Sequence, residues 1–271
     1  MKWEVSKISI PVFDLEESIK FYNFILGNDI ETKINDVDSL DEYFVIGGNI
    51  ELCLYKLKNQ LSNNRILQSR RTFPTLALND LDLIVKSLKD GGINYSINEY
   101  EKSIIIQEPG LNFIELVNLE TSKTLSYREE NNKWHFHHVN LECYDVRSSV
   151  NFVSQYLKMK EGTWKAPIEL GKVNIKSNQL AIFNLDDNHS GIHINKADFT
   201  FSSRNNFMHN PTIGGHPAFN VKDIKLFIKK LKSSDIAVTD AKIYAMPNIH
   251  QIYFFDPSAN IIEVNQNINK I

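Results

Sequence analysis

The feature that most constrains this chain of 271 residues is one local pattern that recurs four times. The stretches 7–27 (KISIPVFDLEESIKFYNFILG), 73–92 (FPTLALNDLDLIVKSLKDGG), 138–157 (HVNLECYDVRSSVNFVSQYL) and 216–234 (HPAFNVKDIKLFIKKLKSS) share it. Each opens with alternating residues, reaches an aspartate and continues with helical spacing. Period two marks a strand and period 3.6 an amphipathic helix. The aspartates Asp14, Asp80, Asp145 and Asp223 lie 66, 65 and 78 residues apart. Aspartate suits a helix N-cap, where its carboxylate accepts from unpaired backbone N–H groups and meets the positive end of the helix dipole. Glu17, three residues after Asp14, adds a capping-box pattern.

After each helix the chain returns to short strand-like runs: EYFVIG and NIELCLY, then NYSI, KSIIIQ and NFIELVN, then VNIKS, LAIFN and GIHIN, and finally IAVTD, HQIYFF and NIIEVN. A strand, a helix and about three strands make a βαβββ module of roughly 65–70 residues, and four such modules fill the chain. The predicted fold class is therefore α+β. The polar stretch 121–133 (TSKTLSYREENNK) has no hydrophobic periodicity and is the predicted boundary. It divides the modules into two paired-module domains, 1–122 and 134–271.

Composition removes several function classes. Lys+Arg 30 against Asp+Glu 33 leaves no basic surplus for a phosphate backbone, so no nucleic-acid partner is expected. No apolar run approaches the roughly 18–20 residues that span a bilayer, and the opening MKWEVSKISIPVF has no signal-like apolar segment. The expectation is a cytoplasmic protein with no membrane partner. Cys53 and Cys143 form neither a disulfide framework nor a metal-ligand spacing and read as buried hydrophobes. Neither G-x-G-x-x-G nor G-x-x-x-x-G-K-[ST] occurs, which removes Rossmann and P-loop readings.

The string DLEESIKFYNFILG, the HxxxxxxD spacing at His138 and His216, and the ending QIYFFDPSANIIEV resemble the vicinal oxygen chelate superfamily of glyoxalases, bleomycin-resistance proteins and extradiol ring-cleaving dioxygenases. The resemblance spans all four modules. It implies a cupped mixed β-sheet for each pair of modules, with a metal held in the cup by the first and last strands of the modules.

Seven residues before the four aspartates stand Lys7, Phe73, His138 and His216, and the closing strands carry Glu51, Glu115, His193 and Glu263 at matching places. Strand alternation puts His138, Asn140 and Glu142 on one face and Val139, Leu141 and Cys143 on the other. It allows only one of the neighbours His137 and His138 into the cup, and the seven-residue spacing to Asp145 selects His138. An ammonium and a phenyl ring cannot ligate a divalent cation, so the N-terminal cup is expected to be metal-free, with Lys7 and Glu51 paired or facing solvent. The C-terminal set of His138, His193, His216 and Glu263 suits Fe, Mn, Zn, Ni or Co. Two histidines with one carboxylate and open positions favour Fe(II).

In extradiol dioxygenases only the counterparts of His138, His216 and Glu263 are ligands. The resemblance then makes His193 an acid–base histidine, whereas in the glyoxalase pattern its position is a fourth ligand. Tyr253, followed by x-x-D-P, matches the dioxygenase tyrosine, read either as a hydrogen-bond donor to a metal-bound oxygen or as a packing aromatic. The family histidine further upstream is replaced by Tyr244, Ala245 or Met246, and His250 is carried as a further catalytic candidate. Ala259 stands where the D-P-x-G-N turn has glycine, so a strained turn is expected. His135, His189 and His209 match no motif and read as surface or loop residues. Trp134, Trp164 and Phe207 are candidates to wall the pocket.

The leading reading is a metal-dependent, dioxygenase-like enzyme acting on a small catechol-like substrate. The alternatives are a glyoxalase-like lyase or isomerase acting on a carbonyl compound, and a non-catalytic binding or resistance protein. Monomer and homodimer both fit, because four modules complete two cups.

Overall fold

Each of the four repeated aspartates caps a helix in the computed structural model of the chain. Asp14 accepts from Glu17 N at 2.9 Å to start α1 (Leu15–Leu26), and Asp80 accepts from Leu83 N at 3.0 Å to start α2 (Leu81–Asp90). Asp145 accepts from Arg147 N at 3.0 Å at the head of α3 (Val146–Tyr156). Beyond a short helix α4 (Phe201–Asn205), Asp223 accepts from Leu226 N at 2.9 Å to start α5 (Ile224–Lys232). The structure describes residues 1–27, 31–37, 40–47, 50–57, 69–98, 102–120, 134–165, 175–185 and 189–270, with 31–47 described by backbone alone. The predicted boundary at 121–133 lies outside them.

The first sheet holds β1 (Trp3–Val12), β2 (Glu31–Val37), β3 (Leu40–Gly47), β4 (Ile50–Lys56), β5 (Phe73–Leu78), β6 (Tyr95–Asn98), β7 (Ser103–Gln107) and β8 (Phe113–Asn118). Its order is β2-β3-β4-β1-β5-β8-β7-β6. The second holds β9 (Trp134–Cys143), β10 (Leu180–Asn184), β11 (Gly191–Lys196), β12 (His216–Val221), β13 (Thr239–Ile243), β14 (Ile249–Phe255) and β15 (Ile261–Asn267), in the order β10-β11-β9-β12-β15-β14-β13. The fold is α+β, with two mixed sheets. In each, the opening strands of two modules meet antiparallel at the centre, β1 with β5 and β9 with β12, and each opening strand pairs parallel with the closing strand of its own module.

Alternation along the opening strands separates two environments. Ile8, Ile10 and Val12 of β1 and Val139 and Leu141 of β9 are fully buried in one core with Tyr22 and Ile25 of α1 and Val150 and Val153 of α3. Burying an aliphatic side chain of this size contributes about 1.5–3 kcal/mol, so the helix-side residues hold the scaffold. The other face of each sheet is left to polar side chains.

Three expectations change. The strand β2 was not anticipated. VNIKS is a turn where it is described, because Lys176 O accepts from Gln179 N at 2.8 Å and Leu180 N at 3.2 Å, and residues 173–174 lie outside the described residues. The IAVTD strand starts only at Thr239 and runs on to Ile243.

The two halves lock through a repeated turn. Asp256 accepts from Ser258 N and from Asn260 N and Nδ2, and Asn260 Nδ2 also donates to Pro11 O at 2.7 Å. In the first half Glu108 accepts from Gly110 N and from Asn112 N and Nδ2, and Asn112 Nδ2 donates to Glu142 O at 2.7 Å. Pro11 and Glu142 each precede their capping aspartate by three residues, so the two locks are pseudo-symmetric. Ala259 adopts φ +64° in this turn, the left-handed conformation that a Cβ disfavours by roughly 1–2 kcal/mol. Ala259→Gly should therefore raise the unfolding free energy by about 0.5–1 kcal/mol once the added freedom of the unfolded chain is subtracted. Urea denaturation checks this, and an unchanged or lower midpoint would count against strain at this turn.

Candidate metal centre

Register in the second sheet assembles the site. Ala218 of β12 lies opposite His138 on β9 and opposite Glu263 on β15, and His216, two residues before Ala218, projects from the same face. His216 Nε2 is 3.0 Å and His138 Nε2 3.7 Å from Glu263 Oε2. One donor atom from each of the three lies within 4.8 Å of the others, and all three side chains are buried.

Burial, reinforced by the neighbouring imidazoles of His193, His137 and His216, holds the His138 pKa well below its ordinary value, so His138 is neutral with a lone pair to offer. Burial works to raise the Glu263 pKa, but the hydrogen bond and charge of His216, with Gln251 Nε2 donating at 3.0 Å, leave it below the usual carboxylate value. Two imidazole nitrogens and one ionised carboxylate fit a divalent first-row metal ion.

His193, on β11 opposite Asn140, stacks on the His138 ring with centroids 3.7 Å apart but lies outside the three-atom cluster. Its Nε2 lies 2.7 Å from His189 O, and burial pushes its pKa down to about 3. A carbonyl can only accept, so Nε2 carries the proton and Nδ1 the lone pair. Tyr253 lies opposite Glu263 in the β14–β15 ladder, its hydroxyl receiving Gln251 Nε2 at 3.1 Å. Burial first, and then the Glu263 charge, raise its pKa well above the ordinary value, so the phenol keeps its proton.

Other candidates are corrected. His250 falls out of step with Gln251 and Tyr253 on β14, and its Nε2 bonds Asp240 Oδ1 at 2.6 Å, away from the cluster. His189 and His209 lie in loops, as one of the two expectations has it, and are buried there. The His189 ring accepts from Lys165 N at 3.0 Å, and His209 Nδ1 bonds Thr239 Oγ1 at 2.8 Å. Trp134 packs edge-on against Phe219 at 5.2 Å in the core and is not among the residues lining the cavity over the cluster. Trp164 does line the cavity, its ring 5.4 Å from that of His193, and Phe207 stands 6.4 Å from Tyr253. The cavity above the three-residue cluster measures about 940 Å³ and is walled by Trp164, Phe201, Tyr244 and Met246.

Sequence reasoning missed His137, His189 and Gln251. Gln251 was within reach, since it stands two residues before Tyr253 on the same strand face. His189 acts through its backbone carbonyl, for which a sequence carries no signal.

No protein-family model and no curated protein sequence matches the chain. Solved structures do. A catechol 2,3-dioxygenase is similar over 97% of this chain and 87% of its own, at 12% identity and a TM-score of 0.62. The 2,3-dioxygenase LapB from Pseudomonas sp. KL28 is similar over 97% and 91%, at 14% identity and 0.66. A Mn(II)-bound glyoxalase from Novosphingobium aromaticivorans is similar over 98% and 82%, at 13% identity and 0.64. The fold is that of the vicinal oxygen chelate proteins.

The first half of this vicinal oxygen chelate fold repeats the site geometry with other chemistry. Thr75 of β5 lies opposite both Lys7 and Glu115, as Ala218 lies opposite His138 and Glu263. Lys7 Nζ is 3.1 Å from Glu115 Oε2, so Glu115 is an acidic partner of Lys7, whose register neighbour on β4 is Glu51. Thr75 Oγ1 and Ser103 Oγ donate to the same carboxylate at 2.6 and 2.5 Å. Burial works to raise the Glu115 pKa, but the Lys7 charge and these hydroxyls outweigh it and hold the group below 4.5.

A depressed carboxylate pKa contributes stability that is present above the unfolded-state value and is lost as pH falls through the folded-state value. Glu115→Gln takes from the buried Lys7 ammonium the carboxylate 3.1 Å away and should cost about 3–5 kcal/mol at pH 7. That gap should narrow on acidification below about pH 4.5, the ordinary value. Denaturation curves of both proteins across pH measure it, and a pH-independent gap would refute the charge argument.

Proposed function

We propose that the chain is a divalent-metal-dependent enzyme acting on a small substrate with two adjacent oxygens, and that its reaction is an extradiol, dioxygenase-type ring cleavage. The observation that carries this reading is the convergence of His138 Nε2, His216 Nε2 and Glu263 Oε2 on one point of the cup, with His193 beside the cluster and outside it. Three ligands with open positions favour non-haem Fe(II), whereas a fourth protein ligand would favour a glyoxalase-like lyase. Here His138, His216 and Glu263 hold the ion, and the C-terminal domain, 134–271, carries the chemistry. The metal would supply Lewis-acid polarisation of the substrate oxygens and, as Fe(II), would bring dioxygen to the same site, the electrons that reduce dioxygen coming from the catechol itself.

The chain's own groups divide the remaining work. His193, neutral and with Nε2–H tied to His189 O, keeps Nδ1 to accept a proton from a substrate hydroxyl. Tyr253, which keeps its proton, donates to an oxygen that gains negative charge. Trp164, Phe201 and Tyr244 offer flat apolar walls to an aromatic ring and exclude water from it.

Metal analysis of the wild type beside His216→Ala and Glu263→Ala tests the ligand set. The expected result is one divalent ion per chain in the wild type and at least about 100-fold weaker binding in each variant. Unchanged metal content in both variants would leave a binding protein. With Fe(II) under anaerobic loading, a panel of catechols should consume dioxygen on admission of air and give a yellow ring-opened product. Tyr253→Phe should slow that reaction by about 100-fold or more. Silence across the panel removes ring cleavage, and a redox-inert resident metal with carbonyl isomerisation would establish the glyoxalase-like alternative.

A further inference from the structure

The strand that carries His138 is not regular. On β12, Ala218 pairs with His138 but the next residue, Phe219, pairs with Phe136, so β9 holds one extra residue, His137, in a β-bulge. Alternation would send neighbouring side chains to opposite faces, yet the His137 and His138 rings lie with centroids 5.0 Å apart and Nδ1 to Nδ1 at 2.7 Å, both buried. The first half has a bulge at the corresponding place. Val5 pairs with Leu76 and Lys7 with Thr75, leaving Ser6 as the extra residue. The bulge is thus a feature of the scaffold, and the histidine in it belongs to the second half alone.

Two imidazole nitrogens 2.7 Å apart share one proton, so one ring donates and the other accepts. If His137 donated, His138 would be protonated on Nε2. That N–H would then point at Glu263 Oε2 from 3.7 Å, too far for a hydrogen bond. If His138 donates through Nδ1, its Nε2 is a bare lone pair aimed at the Glu263 and His216 cluster. We propose that His137 is a positioning residue that accepts the Nδ1–H of His138 and so fixes the tautomer and ring orientation in which His138 Nε2 faces a cation. This rests on the metal reading above and adds to it an outer-shell partner that is itself an imidazole. His216 contrasts with it, because its Nδ1 is buried with no hydrogen-bond partner among the described residues. The structure therefore gives His138 the fixed orientation and leaves His216 held by Glu263.

Two measurements test the inference separately from the metal reading. Long-range ¹H–¹⁵N correlation spectra of the metal-free, full-length protein report imidazole tautomers directly. The expected result is His138 protonated at Nδ1 and His137 at Nε2, and a His138 protonated at Nε2 overturns the inference whether or not a metal binds. Titration with Co(II), followed by its ligand-field spectrum, and competition with Zn(II) provide the second readout. His137→Leu, which removes the acceptor, should weaken affinity by about 10–100-fold and shift the spectrum. His137→Asn, which offers a carbonyl oxygen near the place of Nδ1, should recover most of both. Should His137→Leu fold poorly, His137→Ala replaces it, since it too carries no side-chain acceptor. Wild-type affinity and spectrum in these non-accepting variants would overturn the inference. A wild type that takes up no divalent ion overturns the metal reading instead, and the tautomer spectrum then still decides the role of His137.

Discussion

A carboxylate buried on the strand next to the centre of each sheet is the constraint around which both halves are arranged. Glu115 and Glu263 occupy equivalent register positions and are almost wholly removed from water. An ionised carboxylate in such a place costs several kcal/mol unless charge and hydrogen bonds compensate it. The first half meets the cost from its own chain, with the Lys7 ammonium and the hydroxyls of Thr75 and Ser103 saturating Glu115. The second half replaces the ammonium by imidazole, and its Glu263 is bonded by His216 and Gln251. Unlike an ammonium, an imidazole can give up its proton and offer a lone pair in its place. One scaffold position thus yields a closed ion pair in one half and, in the other, a cluster that an external cation would complete.

Most of the architecture was legible because it is carried by periodicity and by one residue with a local task. The aspartates announce four helices through cap chemistry that acts over three residues, and the equivalence of the modules then locates Lys7, Phe73, His138 and His216 without any knowledge of contacts. The closing-strand glutamates follow from the same equivalence. The misreadings share a physical origin, since each depends on something that alternation does not encode. A bulge inserts a residue and cancels the parity rule, so His137 was set aside as facing away from His138. His250 was retained although the same rule, applied along β14 from Tyr253, sends it to the other face. Nor does alternation show that the long lysine side chain of Lys7 reaches across the central strand pair to Glu115.

The histidines of the second half are best understood as a set with divided duties. His138 and His216 present nitrogens to Glu263, His193 is turned toward the His189 carbonyl, and His137 meets the far nitrogen of His138. Four imidazoles packed this closely cannot all be charged, and burial depresses the pKa of both His138 and His193. What distinguishes their roles is therefore which ring nitrogen carries the proton. That choice is made by backbone and side-chain acceptors lying just outside the cluster, as is general where histidines serve as ligands or bases.

The first half also acts on the site from a distance. The turn 256–260 joins β14, which carries Gln251 and Tyr253, to β15, which carries Glu263, and it is fastened to the first half at several points. Tyr22 OH donates to Asp256 Oδ2 at 3.0 Å, Phe13 N donates to Ser258 Oγ at 2.9 Å, and Asn260 Nδ2 donates to Pro11 O at 2.7 Å. The ring of Phe21 on α1 meets Phe254 at 6.3 Å, on the core side of the strand that bears Tyr253. Glu263 begins three residues after Asn260, too short a span for the strand to shift without breaking these bonds. Because small displacements of a site's supporting groups are costly to both ligation and proton transfer, the first half contributes by restraining the hairpin on which the carboxylate and the phenol depend.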